Sequence, residues 1–187
     1  MINKYFLEEP NILDLSKEIF NAVVDENLKI KTRFELISKK IEDAETVNFI
    51  LADGLGYSNL QSTDSFLNKH INNVVNTTFP SSTNVALTTI AMQANPIDHG
   101  VFSYYMYDKL KYGLINALNW NSENINLLLS KYFNNQSSIW SVFKENNIYA
   151  SNFQPKNLIN TPLSNFLYEE KSTVPYISQE DLINALS

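Results

Sequence analysis

The apolar positions of this chain fall into a succession of helix-like and strand-like runs. In ILDLSKEIFNAVV (12–24), Ile12, Leu13, Leu15, Ile19, Phe20 and Val23 recur at helical intervals. TRFELISKKIED (32–43) repeats the pattern with Phe34, Leu36, Ile37 and Ile41. TVNFILA (46–52) is different: a continuous apolar run, β-branched and aromatic, that stops at DGLG. Such a run suits a buried parallel strand. YSNLQSTDSFLNKH (57–70) predicts a helix, INNVVNTTF (71–79) a second strand, and residues 83–92 another helix. VFSYYMYD (101–108) reads as a strand or extended loop, SIWSVFKENN (138–147) as a helix and IYASNF (148–153) as a strand. The rest, through PLSNFLYEE and ISQEDLINALS, reads as loop with helical pieces. Strands alternating with helices predict an α/β fold, with a mainly parallel sheet flanked by helices. Residues 1–44 are expected to form a helical lead-in and 45–187 the α/β domain.

Composition narrows the function. The 187 residues suffice for one domain with a real core. Hydrophobic residues make up 44% and charged residues 18%, as in an ordinary globular protein and unlike a disordered one. A formal net charge of -6 argues against nucleic acid or an anionic membrane as partner. No apolar run is long enough for a transmembrane span, and MINKYFLEEPN lacks the core of a secretory signal. The simplest location is the cytoplasm. The absence of cysteine removes disulfides and thiolate metal sites, and there are only two histidines, His70 and His99.

Two stretches carry candidate chemistry. In ADGLG (52–56), Asp53 follows the end of the expected strand, and sites in open α/β sheets form outside the carboxyl ends of strands. Asp53 there is placed to hold a metal; a plain Asp-Gly turn accounts for the same residues. In TTFPSSTNVALTTIAMQ (77–93), hydroxyl residues crowd the start of a helix, with Pro80 just before it. Backbone N–H groups and the helix dipole at Thr83 favour an anion. An N-cap by Ser82 or Thr83 explains that cluster equally well.

Taken together the two stretches say more. Asp53-Gly54-Leu55-Gly56, then Phe79-Pro80-Ser81-Ser82-Thr83 with Ala86-Leu87-Thr88-Thr89, then Pro96-Ile97-Asp98-His99-Gly100, resemble the alkaline phosphatase superfamily. The nearest branch is the type I phosphodiesterase/nucleotide pyrophosphatase family. The later stretch 138–155 is similar to that family's next helix–strand pair, so the resemblance spans roughly residues 46–187. It implies an alkaline-phosphatase-like fold and hydrolysis of small phosphate esters or diesters. Two divalent metals, usually zinc, grip the phosphoryl group, and a metal-coordinated hydroxyl attacks it. By this resemblance Asp53 is a metal ligand and Thr83 is both nucleophile and ligand, with Ser82 as the fallback. His99 is structural. Two positions depart from the family: Met92-Gln93 stands where many members have Thr-Gly, and Tyr104 stands where they have a phosphoryl-binding Asn.

A two-zinc site needs about six protein ligands besides the nucleophile. The family takes most of them from a D-x-x-x-H segment, an Asp-His pair and a further His. Those have no counterpart here beyond Asp98-His99, which the P-x-x-HG motif already uses. The expectation is therefore the N-terminal part of a longer enzyme, with at most partial metal binding and little or no hydrolase activity by itself. Apolar surface left uncovered, including Tyr104, Tyr105 and Tyr107, would favour self-association. A different class of function fits the same shortage: a non-catalytic remnant that binds a partner or a phosphorylated ligand at the Thr83 helix start.

Overall fold

The computed structural model of the chain describes residues 8–108, 113–117, 137–168 and 172–186. They belong to two compact units, 1–77 and 78–187.

The first unit is organised by one amphipathic helix, α1 (Ile12–Val23). It starts where the sequence places it because Asn11 and Asp14 form a capping box. The Asn11 side chain accepts the Leu13 and Asp14 amides at 2.9 and 3.4 Å, and Asp14 accepts the Asn11 amide at 3.0 Å. Leu13 and Phe20 on one face are buried. The polar face is used as fully. Asp14, Glu18 and Asn21 follow one another at helical spacing, and each holds part of the segment that returns along the helix. Asp14 takes a two-pronged contact from Arg33, Nε at 2.8 Å and a second guanidinium nitrogen at 2.5 Å. Burial by itself would raise the Asp14 carboxyl pKa. The hydrogen bonds from Arg33 and the Asn11 amide, with the Arg33 charge, outweigh it and leave the pKa lowered. Glu18, only 1% exposed, accepts three successive backbone amides, Leu36 at 2.6 Å, Ile37 at 2.7 Å and Ser38 at 2.8 Å. Asn21 exchanges two hydrogen bonds with the Ile30 backbone, at 2.7 and 2.8 Å.

This side-chain anchoring explains why the helix expected over 32–43 shrinks to α2 (Ser38–Ile41). Amides 36–38 are given to Glu18, so the chain there follows the carboxylate rather than helical dihedrals. The helix expected over 57–70 splits into α3 (Tyr57–Gln61) and α4 (Phe66–Lys69). Between them Thr63 and Ser65 hydroxyls bond to local backbone and to each other, and Ser65 caps α4 through the Asn68 amide at 3.2 Å. The strand expected over 46–52 does not form. No ladder partner faces it among the described residues, and Ile50 is 76% exposed, with Phe49 and Leu51 also exposed. The strand expected over 71–79 is reduced to one bridge, Asn11 with Asn76.

In the second unit the expected helix forms over its full length as α5 (Thr83–Met92). It ends at Gln93 with a left-handed φ of 51°, the backbone conformation that glycine adopts most readily. A short α6 (Pro96–His99) follows. β1 (Tyr105–Asp108) pairs antiparallel with β2 (Gly113–Asn116). Val85, Met92, Ala94, Val101, Ile115 and Ala117 form one buried cluster beneath these elements. α7 (Ile139–Glu145) precedes β3 (Asn152–Pro155), and α8 (Pro162–Leu167) crosses over to β4 (Thr173–Tyr176), which lies parallel to β3. Leu163 and Leu167 of α8 pack on Ala91 of α5. α9 (Gln179–Leu186) closes the described chain. The fold is mixed α/β, as expected, but its strands make two two-stranded sheets, one antiparallel and one parallel. The described residues do not assemble a mainly parallel sheet. A mainly parallel sheet needs several buried strands side by side, and 46–52 stays outside any ladder.

Glu18→Ala should strip three amides of their acceptor and lower the stability of the first unit by about 3 kcal/mol, with Glu18→Gln losing less. Urea unfolding followed by circular dichroism checks this, and amide exchange at Leu36, Ile37 and Ser38 should accelerate in step. A loss below about 0.5 kcal/mol would remove Glu18 as the anchor.

Candidate functional site

The start of α5 is where the sequence signals converge. Thr78, buried, donates its hydroxyl to the Pro80 carbonyl at 2.9 Å, closing the turn that leads into the helix. Ser82 is the extended residue before the first turn, with φ -125° and ψ 152°, and Thr83 is the first helical residue. Ser82 has the position and residue type of an N-cap, yet its own side chain does not cap the helix. Its hydroxyl instead donates to the Asn84 Oδ1 at 2.7 Å. Asn84 is fully buried, and its Nδ2 donates to the Ser103 carbonyl at 2.7 Å. That carbonyl can only accept, so the orientation of the amide is fixed by its partners. The Thr88 hydroxyl donates to the Asn84 carbonyl at 2.7 Å.

These bonds link the two segments that carry Thr83 and Tyr104, two of the expected site residues. Thr83 adjoins Asn84, Tyr104 adjoins Ser103, and the Asn84–Ser103 bond ties the two pairs. Tyr104 is partly exposed, its ring edge-on to Tyr105 at 5.1 Å, and its carbonyl accepts the Ala117 amide at 2.7 Å at the base of the β1–β2 hairpin. Tyr105 and Tyr107 are exposed as well. Asn84 was not singled out by sequence reasoning. A polar residue just inside a helix start is ordinary, and only its complete burial marks it.

His99 behaves as a structural residue. It is fully buried; the Val101 amide donates to its Nδ1 at 3.1 Å, so the proton sits on Nε2, which donates to the Thr89 hydroxyl at 2.9 Å. Burial lowers its pKa to about 4, against smaller opposing effects of a backbone hydrogen bond and the Asp98 charge. With both nitrogens engaged, it is not placed to ligate a metal. Gly100, at φ 74°, then turns the chain out of α6 toward Val101.

Asp53 belongs to the first unit. It lies exposed in a turn closed by the Leu55 amide on the Ala52 carbonyl at 3.4 Å, with Gly54 at φ 74°. His70, also in that unit, has its Nδ1 2.7 Å from the Phe66 carbonyl. Among the described residues no group of three His, Cys, Asp or Glu side chains could hold a metal ion. No described helix is long and apolar enough to cross a membrane. A cavity of about 10 Å³, room for one water, lies between β3, α8 and β4, lined by Gln154, Ser164, Tyr168 and Thr173. It touches none of the candidate site residues.

The family described as type I phosphodiesterase / nucleotide pyrophosphatase has a model that matches residues 47–186. No curated protein and no solved structure matches the chain.

Neutral His99 gives stability a defined pH dependence. In the unfolded chain its pKa is near the ordinary 6.5; in the fold it is about 4. Between those values the unfolded state takes up a proton that the folded state refuses. Stability should therefore fall as pH drops from about 6.5 to about 4, by roughly 3 kcal/mol in total, and level off for this group below that. Urea unfolding read by tryptophan fluorescence, compared with His99→Gln, checks it. The variant should start less stable and lack this slope; equal slopes would contradict the assignment.

Proposed function

Because the chain belongs to the type I phosphodiesterase/nucleotide pyrophosphatase family, we propose that it carries the nucleophile-bearing part of a phosphate-ester or phosphodiester hydrolase site, with Thr83 as the attacking hydroxyl. The observation that carries this reading is the start of α5. Thr83 opens a ten-residue helix that the side chain of Ser82, at the N-cap position, does not cap. Amides at a helix start and the helix dipole suit a phosphoryl oxygen. Ser82, the neighbouring hydroxyl, donates to the buried Asn84 amide oxygen and is the fallback nucleophile. Tyr104, tied to the same helix start, is the proposed donor to the phosphoryl group, in the place where the family's Asn would act.

The family is generally metal-dependent. Asp53 is the proposed metal ligand, with Thr83, and zinc the proposed metal. One carboxylate and one hydroxyl fall well short of the three or four ligands that each ion needs. We therefore propose at most partial metal binding and little or no turnover by this chain alone. The same shortage supports a second reading, in which the helix start binds a phosphorylated ligand without catalysis. The family match also supports taking 45–187 as the family's domain and 1–44 as a lead-in.

Titration of the ¹⁵N-labelled chain with inorganic phosphate should shift the amides of Thr83, Asn84 and Val85 and that of Tyr104. Shifts confined to other regions, or none, would sink the phosphoryl site. Zinc content separates the two functional readings. After equilibration with zinc and removal of excess, the hydrolase reading expects some zinc, but fewer than two ions per chain, with Asp53→Ala losing it. The binding-only reading expects none. Two tightly held ions would overturn the proposed incompleteness.

A further inference from the structure

We draw no further inference here: the strongest candidate, the apolar run 46–52 of the first unit, which lies exposed and outside any ladder among the described residues, carries none because nothing in the structure shows what covers it.

Discussion

Irregular backbone must find hydrogen-bond partners, and in this chain buried polar side chains on helices supply them. Much of the described chain lies outside helices and ladders. A buried amide or carbonyl without a partner costs a large fraction of a domain's net stability. Glu18 and Asn21 of α1 take the backbone of residues 30–38. Asn84 of α5 takes the Ser103 carbonyl, and His99 takes the Val101 amide. Each helix therefore acts as a rail with polar clasps. The packing of Phe20 or Val85 beside those clasps is possible because the returning chain is already held.

The candidate site grows out of the same device. The side chain that clasps Ser103 sits next to Thr83, and the clasped carbonyl belongs to the residue before Tyr104. Fixing a loop to a helix start ties together the two segments that carry Thr83 and Tyr104. His99 supports that neighbourhood from the other end of α5 by bonding Thr89. A neutral, buried imidazole with both nitrogens engaged is a brace. The departure at Met92-Gln93 fits a backbone need as well: Gln93 occupies the left-handed conformation where glycine is at ease. Its side-chain amide donates to the Ile90 carbonyl at 2.7 Å, which helps to hold that turn.

The run 46–52 shows the limit of local pattern. Its residues have the composition of a buried strand, and Phe49, Ile50 and Leu51 nonetheless stand exposed. Strand-like residues supply apolar side chains, but a ladder exists only when a neighbour offers its own amides and carbonyls at the right spacing. An apolar run of this length with an open backbone is a feature that folded proteins ordinarily cover.

What the sequence determined by itself was local or motif-borne. The span of α5, the helical run of α1 and the family motifs from Asp53 to Gly100 could be read because the signals lie within a turn or two of the residues they govern. The mixed α/β class was legible for the same reason. Tertiary structure decided the rest. The helix expected over 32–43 gave way to Glu18, whose carboxylate reaches across eighteen to twenty positions. Asn84 passed unnoticed because its meaning depends on Ser103, nineteen residues on. Whether 46–52 becomes a strand depends on a partner elsewhere. Hydrogen bonds between residues distant in sequence leave no periodic trace in it, and they chose among the conformations that local preference left open.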